Sequence, residues 1–229
     1  MNKFGKNMET ENSVFSVPMI RRWLKEKSGK TSKLAKKISE WTDLNISPSA
    51  RIVDLGCGTG ALSVEIAKQN TLAKVFALDI NDHMDHSLEI PENLEYNNVK
   101  PFSLAECNLN PDIIILSGVI HHVSKKQEVD FIKDIGDALP VGGKLFVHEH
   151  ELSQSRTQII ERAMLAITEI ISNRCLETME THYNFLSRKE LNKLLEDNNF
   201  RILKEEAVGG RYVTIPQLAG NNITLAEKI

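Results

Sequence analysis

Histidine and acidic side chains cluster at two places in the second half of the sequence. His121 and His122 follow one apolar run, and residues 148–151 read His-Glu-His-Glu directly after another. Imidazole exchanges protons near neutral pH, so these residues are suited to general base catalysis. The candidate catalytic residues are therefore His122, His148 and His150. The alternative for the pair at 121 and 122 is a packing or helix-capping role.

A second distinctive stretch lies earlier in the chain, where residues 53–60 read VDLGCGTG. Gly56, Gly58 and Gly60 let the backbone turn sharply and let a ligand lie against the main chain, which a Cβ would obstruct. With Ala61 the stretch also satisfies the dinucleotide fingerprint. The glycines alone therefore do not identify the ligand.

The acid before the glycines separates the ligand classes. Asp54 stands two residues before Gly56, and a carboxylate there repels a pyrophosphate but favours a ligand with an ammonium and a sulfonium. S-adenosylmethionine is such a ligand. Asp79 has the spacing expected of an acid that holds ribose hydroxyls. Each acid also has a simpler explanation, because Asp54 can cap the next helix and Asp79 can end a strand.

Alternating apolar runs and helical patterns predict the elements that position these residues. The runs are dense in Val, Ile, Leu and Phe, as in strands buried on both faces. The alternation indicates an α/β fold with a doubly wound, mostly parallel seven-stranded sheet, whose ligands bind beyond the carboxyl ends of the strands. The predicted strands are 51–55, 74–79, 94–96, 112–116, 144–148, 200–206 and 222–227, the predicted helices include 61–69 and 126–139, and a capping box at 187–190 opens another.

Segments outside the predicted sheet are expected to cover the site. Residues 1–48 are expected to form an N-terminal arm and cap helices, and residues 49–229 the main domain. Within it, residues 153–180 predict an inserted lid helix that either covers the site or pairs with another chain as a homodimer. Between residues 21 and 37, eight Lys or Arg stand against one acid. This indicates either a solvated helical face or a basic lip for an anionic substrate.

Composition and charge exclude several classes of protein. The net charge of -3 over 229 residues is too small to argue for a nucleic-acid partner. The absence of a long apolar segment and the polar amino terminus predict a cytoplasmic protein without membrane insertion. The 3 cysteines lack CxxC spacing, which argues against a zinc site. The His, Asp and Glu residues at 82–86 and 148–151 do not resemble a carboxylate and amide ligand set in spacing or context, so no metal is predicted.

Residues 53–60, together with ALDINDHM at 77–84, resemble the first two motifs of the class I S-adenosylmethionine-dependent methyltransferases. Segments 112–123, 139–146 and 223–228 are similar to the fourth-strand segment, the turn into the fifth strand and the closing strand of that family. The sequence looks most like the small-molecule enzymes related to ubiquinone and menaquinone biosynthesis. The resemblance implies their Rossmann-like methyltransferase fold.

The resemblance also implies a set of cofactor contacts. The glycine turn would contact the methionine part of S-adenosylmethionine, and Asp54 would balance its ammonium. Asp79 would accept both ribose hydroxyls. Ile80 and Met84 would enclose the adenine, and two asparagines stand where the family usually offers an acid to the adenine amino group. The implied cofactor-binding residues are Asp54, Gly56, Cys57, Gly58, Gly60, Asp79, Ile80, Met84, Asn97, Asn98 and Ser117.

The implied activity is methyl transfer to a small-molecule acceptor, with oxygen favoured over nitrogen or carbon. The sulfonium leaving group is already activated, so alignment and exclusion of water supply much of the catalysis. The sequence SGVI at 117–120 differs from the Asn-Pro-Pro-Tyr type that holds planar amines, and a nucleic-acid partner is not expected. Two alternatives stay open: a methyltransferase for RNA or a carrier-tethered substrate, and a non-catalytic cofactor-binding scaffold.

Overall fold

Helices flank both faces of a single sheet in the computed structural model, which describes residues 29–44, 49–99, 104, 107–152, 184–208 and 219–229. The described helices are α1 (Lys30–Trp41), α2 (Ala61–Gln69), α3 (Glu128–Ala138) and α4 (Arg188–Glu196), and a 3₁₀ turn covers Ile120–His122. The strands are β1 (Arg51–Leu55), β2 (Lys74–Asp79), β3 (Leu94–Asn98), β4 (Ile113–Ser117), β5 (Lys144–Leu152), β6 (Phe200–Val208) and β7 (Ala219–Lys228).

The seven strands lie in the order β3-β2-β1-β4-β5-β7-β6. Strands β1 to β5 are parallel, and β7 runs antiparallel to both of its neighbours, β5 and β6. This confirms the predicted mostly parallel, doubly wound sheet. The order reverses between β1 and β4, which is where ligands of such sheets bind.

Two apolar layers hold the helices on the sheet. Alternate residues of a strand face opposite sides, so Val53 packs on one side with α3 and α4, and Ile52 packs on the other with α1 and α2. Ile132 and Leu195 are fully buried from the first pair of helices, and Ile38 from the second pair. The carboxyl edges of β1, β2, β4 and β5 are thereby fixed relative to one another.

Strand β5 is longer than predicted. Ser117, the last residue of β4, pairs with His148, and β5 continues to Leu152 beside β7. The polar residues after His148 hid this extension, because the apolar pattern ends where the strand leaves the core. His148 and His150 consequently lie within the strand.

The helix predicted at 126–139 covers Glu128–Ala138, and the apolar spacing of Val129, Ile132 and Ile135 predicts its buried face. Ile132 and Ile135 are buried as this spacing predicts, but Val129 is 50% exposed and Glu128 is buried in its place. Glu128 takes the inward position at the start of α3 because its Oε2 accepts a hydrogen bond of 2.6 Å from Asn184 Nδ2. A polar contact from a distant segment thus replaced the apolar one that periodicity indicated.

The predicted capping box is present at α4. Ser187 Oγ accepts the N–H of Glu190 over 3.4 Å, and Glu190 Oε2 accepts the N–H of Ser187 over 2.8 Å. The predicted arm before residue 29 and the predicted lid helix at 153–180 lie outside the described residues. Among the helices that are described, none combines the length and the apolar composition required to cross a membrane.

Candidate active site

The glycine turn, residues 56–60, bends back against the end of β2. Gly56, Gly58 and Gly60 have φ angles of 73°, 54° and 74°, in the left-handed region that glycine adopts without strain. The N–H of Gly56 donates to the carbonyl of Leu78 over 2.7 Å. A Cβ on Gly58 would meet nothing within 4 Å, so the outer side of the turn has room for a ligand.

Asp79 ends β2 and holds the backbone on both sides of the site. Its Oδ2 accepts the N–H of Gly58 over 2.8 Å, and its Oδ1 accepts the N–H of Asn81 over 2.9 Å. Each carboxylate oxygen has a second lone pair. These two bonds therefore leave Asp79 able to accept two ribose hydroxyls.

Asp54 is a buried carboxyl group in β1, 1% exposed. Ser63 Oγ, from the first turns of α2, donates to its Oδ2 over 2.5 Å. Burial raises the pKa of Asp54 from 3.8 to about 6, with the charge of Asp79 acting in the same direction and the bond from Ser63 acting against it. A cation nearby favours the ionised form of such a group. The environment of Asp54 therefore suits a positively charged ligand.

Cys57, between two of the glycines, has no nucleophilic character. Burial, followed by the charges of Asp54 and Asp79, raises the pKa of its thiol far above the ordinary value. The thiol stays protonated near neutral pH, and only the thiolate attacks electrophiles. Cys57 instead packs against the apolar layer under α1 and α2.

The residues predicted to enclose the adenine lie in and around the segment between β2 and β3. Met84 is buried, and its side chain occupies the space that a Cβ on Gly60 would need. Ile80 is 44% exposed. Asn97 and Asn98 end β3, where Asn97 donates a hydrogen bond to a neighbouring glutamate and Asn98 is exposed. Their contacts with adenine stay predictions.

Tyr96 is a residue of this region that sequence analysis missed. Its hydroxyl lies 3.2 Å from the carbonyl of Asn81 and 3.3 Å from Asp82 Oδ1. Burial, and then the charge of Asp82, raises the pKa of Tyr96 to about 12, so the hydroxyl stays a donor. Tyr96 thereby ties β3 to the segment that follows Asp79. Its signal in the sequence was its position directly before the two asparagines.

His148 and His150 share one face of β5, as strand alternation predicts. His148 Nδ1 lies 3.1 Å from Ser117 Oγ, and His150 Nδ1 lies 3.0 Å from Asn221 Oδ1. An amide oxygen only accepts hydrogen bonds, so His150 Nδ1 carries the proton and Nε2 is the basic nitrogen of the neutral ring. Sequence analysis missed Asn221, because the pairing of β5 with β7 has no local signal.

His121 and His122 occupy the 3₁₀ turn after β4 in different environments. The ring of His121 is buried and stacks on Phe185, with centroids 5.3 Å apart and planes at 14°. The ring of the exposed His122 lies 4.1 Å from it, and the ring of His150 lies 5.3 Å from it. Three histidines thus meet beyond the carboxyl end of β4, beside the last residues of β5. The buried position of His121 supports a packing role, whereas His122 is exposed and His150 is half-buried.

Glu149, on the opposite face of β5, also contacts this group. Its side chain is 7% exposed and bonds to His121 Nδ1 over 2.8 Å. Sequence analysis gave Glu149 no role. The sequence did contain a signal for this residue. Glu149 falls on the same alternate positions of the strand as the inward-facing Leu145 and Val147, where an acid is unusual.

Two cavities in the described part of the chain differ greatly in size. The first, of about 10 Å³, is lined by residues that include Glu149, His150 and Arg188, and it has room for about one water molecule. It is too small for an acceptor. The second, of about 260 Å³, lies between α1 and α2 and is lined by residues that include Ser32 and Ala61. None of the candidate catalytic histidines lines it.

Within the described ranges, no group of three or more His, Cys, Asp or Glu side chains has an arrangement that would hold a metal. His86 and Asp82 form an exposed pair with atoms 3.7 Å apart. A single exposed pair of this kind supplies too few ligands for a specific metal site.

Comparisons with known proteins identify the family. The profile of a family described as methyltransferase domain matches residues 21–205. A methyltransferase of Strobilurus tenacellus is 23% identical over 187 residues, which cover 80% of this chain and 66% of that protein. Magnesium protoporphyrin IX methyltransferase from Synechocystis has a TM-score of 0.59 at 16% identity, over 86% of this chain and 83% of that one. A cyclopropane synthase from Mycobacterium tuberculosis has a TM-score of 0.59 at 14% identity, over 82% and 83%.

The chain belongs to the methyltransferase-domain family, because the family match spans most of its length. Together with the sheet order, this confirms the predicted membership of the class I S-adenosylmethionine-dependent methyltransferases. The two structural likenesses, both at low sequence identity, show the fold alone. The chain spans from 32% to 66% of the length of the curated relatives it matches.

Proposed function

We propose that the chain transfers the methyl group of S-adenosylmethionine to a small-molecule acceptor, and that the accepting atom is a hydroxyl or phenol oxygen. The observation that carries this proposal is the bond between His150 Nδ1 and Asn221 Oδ1, which makes Nε2 the basic nitrogen. A base is required only when the acceptor must lose a proton. The name of the magnesium protoporphyrin IX methyltransferase supports a small-molecule acceptor.

The residues around the glycine turn fit the cofactor. The buried carboxyl of Asp54 suits its ammonium, Asp79 retains lone pairs for the ribose hydroxyls, and the space beside Gly58 is open. When bound, S-adenosylmethionine supplies a methyl group on an activated leaving group. This part of the site therefore binds and orients the cofactor.

The acceptor side of the proposal rests on the histidines. His150 Nε2 takes the proton that the acceptor hydroxyl loses as its oxygen bonds to the methyl carbon, and the electrons of the broken carbon–sulfur bond stay on sulfur. Asn221 holds the ring in the required tautomer. His122 and His148 line the same edge of the sheet and position the acceptor.

Turnover with a labelled cofactor tests the proposal. The protein is incubated with S-adenosylmethionine labelled in the methyl group and with separate sets of phenols, aliphatic alcohols, amines and tRNA. A labelled methyl ether is the expected product. Products labelled only on nitrogen or carbon would contradict the oxygen assignment.

The same experiment distinguishes the alternatives. Methyl transfer to tRNA that weakens as the salt concentration rises would favour the alternative of a methyltransferase acting on RNA. Cofactor binding without turnover on any acceptor would favour the scaffold. The cytoplasmic location and a homodimer through the lid helix stay predictions.

A further inference from the structure

Glu149 joins three groups of the turn that follows β4. Its Oε1 accepts the N–H of Val119 over 2.5 Å and the N–H of Ile120 over 2.6 Å. Its Oε2 lies 2.8 Å from His121 Nδ1, which donates to it. One buried carboxylate thus holds the backbone and the first histidine of this turn together.

The carboxylate of Glu149 is ionised in this environment. Burial favours the neutral form, but the charge and hydrogen bond of His121 and the bond from the N–H of Ile120 together lower the pKa below its usual value. Hydrogen bonds to a charged acceptor are stronger than those between neutral groups. The turn is therefore held by charge-assisted bonds.

The other side of this turn lies against the glycine turn. A Cβ on Gly56 would come 2.7 Å from Val119 Cγ2, so Val119 is in direct contact with the backbone at residue 56. Val119 is also one of the two residues whose N–H groups bond to Glu149. A continuous series of contacts therefore runs from His121 through Glu149 and Val119 to Gly56.

We propose that Glu149 is a positioning residue that sets the conformation of the cofactor-binding glycine turn. It acts by fixing Val119 against Gly56, at a distance from the cofactor itself. The same carboxylate fixes the position of His121 beside His122 and His150. Glu149 therefore couples the cofactor side of the site to the acceptor side. This inference rests on the proposed function, because it requires the cofactor to bind at the glycine turn.

The test is the affinity for S-adenosylhomocysteine, measured by calorimetry well below the unfolding temperature of each variant. Glu149→Ala removes all three bonds, and we expect binding to weaken by about tenfold or more. Glu149→Gln keeps a carbonyl oxygen for the two N–H groups and should recover most of the affinity. Glu151→Ala is the matched control, since Glu151 lies on the same face of β5 and pairs with Arg188 at 2.8 Å. The control should bind like the wild type.

The outcomes separate the inference from the function on which it rests. A wild-type protein that does not bind S-adenosylhomocysteine would contradict the proposed function itself. Binding by a folded Glu149→Ala variant at the wild-type affinity would overturn only the inference, and so would equal losses in the Ala and Gln variants.

A double-mutant cycle keeps the inference testable if Glu149→Ala does not fold. Glu149→Asp, whose shorter side chain withdraws the carboxylate from the N–H groups of Val119 and Ile120, and Val119→Ala are combined, and the loss of affinity is compared with the sum of the single losses. We expect the combined loss to be smaller than that sum, because both changes act through the same contact. Simple additivity would overturn the inference.

Discussion

The side chain of Val119, in the turn after β4, lies directly against the backbone of Gly56. A Cβ at position 56 would come 2.7 Å from Val119 Cγ2 and 3.3 Å from Val119 Cγ1. Glycine is therefore required at position 56 both by its φ of 73° and by this neighbour. In the proposed function, the cofactor side and the acceptor side of the site meet at this contact.

Alanine substitutions at Gly56 and Gly58 should differ in cost. Both residues have positive φ, but a Cβ on Gly58 meets nothing within 4 Å. Gly58→Ala should lower the free energy of unfolding by about 1–2 kcal/mol from backbone strain. Gly56→Ala should lose about 1–3 kcal/mol more, because Val119 is branched and stiff. Urea unfolding measures both free energies. Adding Val119→Ala to the Gly56→Ala variant should remove its extra loss of stability. Equal losses for the two glycine variants would contradict the role of Val119.

Removal of the Asp79 carboxylate should weaken cofactor binding. Asp79→Ala loses the acceptor for the ribose hydroxyls and also releases the N–H groups of Gly58 and Asn81. Loss of hydrogen bonds to a charged group should reduce the affinity for S-adenosylhomocysteine by about 10–100-fold. Calorimetry measures the affinity, and Asp137→Ala, an exposed change on α3, is the control. Unchanged affinity in a folded Asp79→Ala protein would remove the ribose assignment.

Cofactor affinity should depend on pH through Asp54, whose pKa is raised from 3.8 to about 6, mainly by burial. A bound ammonium favours the ionised carboxylate, so binding must displace a proton below about pH 6. The affinity for S-adenosylhomocysteine should therefore rise by up to about tenfold per pH unit toward pH 6 and become constant above it. Calorimetry in buffers of different ionisation enthalpy measures both affinity and proton release. Asp54→Asn should remove this dependence, and a variant that keeps it would contradict the role of Asp54.

The same raised pKa affects stability without ligand. The folded state holds the Asp54 proton more tightly than the unfolded state, so this group stabilises the fold at low pH. That contribution is lost as the pH rises from about 3.8 to about 6. Asp54→Asn should show a smaller change in unfolding free energy across this window. An identical change in the wild type and the variant would assign the pH dependence to other groups.

His150 should contribute to turnover and not to cofactor binding. His150→Ala removes the base that Asn221 orients, and a positioned base contributes about 10²–10⁴-fold in rate. The rate constant of methyl transfer should decrease by a factor in this range, while the affinity for S-adenosylhomocysteine stays constant. His148→Ala, on the same face of β5, should show a smaller loss. A larger loss at His148 would move the base assignment to that residue.

The strand segments and the glycine turn were predictable because their signals are local. Buried parallel strands require continuous apolar runs, and backbone with positive φ requires glycine, so residues 51–55 and 56–60 could be assigned from residue types alone. Val129 shows the limit of this approach. Its periodicity with Ile132 and Ile135 placed it in the core, but at the start of α3 the buried position belongs to Glu128, which bonds to Asn184.

The sequence by itself determined the family, the expected cofactor class and the edge of the sheet at which we propose that the chemistry lies. Only the tertiary structure decided which groups meet there. Asn221 reaches His150 because β7 pairs with β5, and Glu149 reaches Val119 because β5 extends past the end of β4. Both contacts join residues far apart in the chain, and hydrogen-bond partners of this kind are fixed by strand pairing and burial, which no local pattern records.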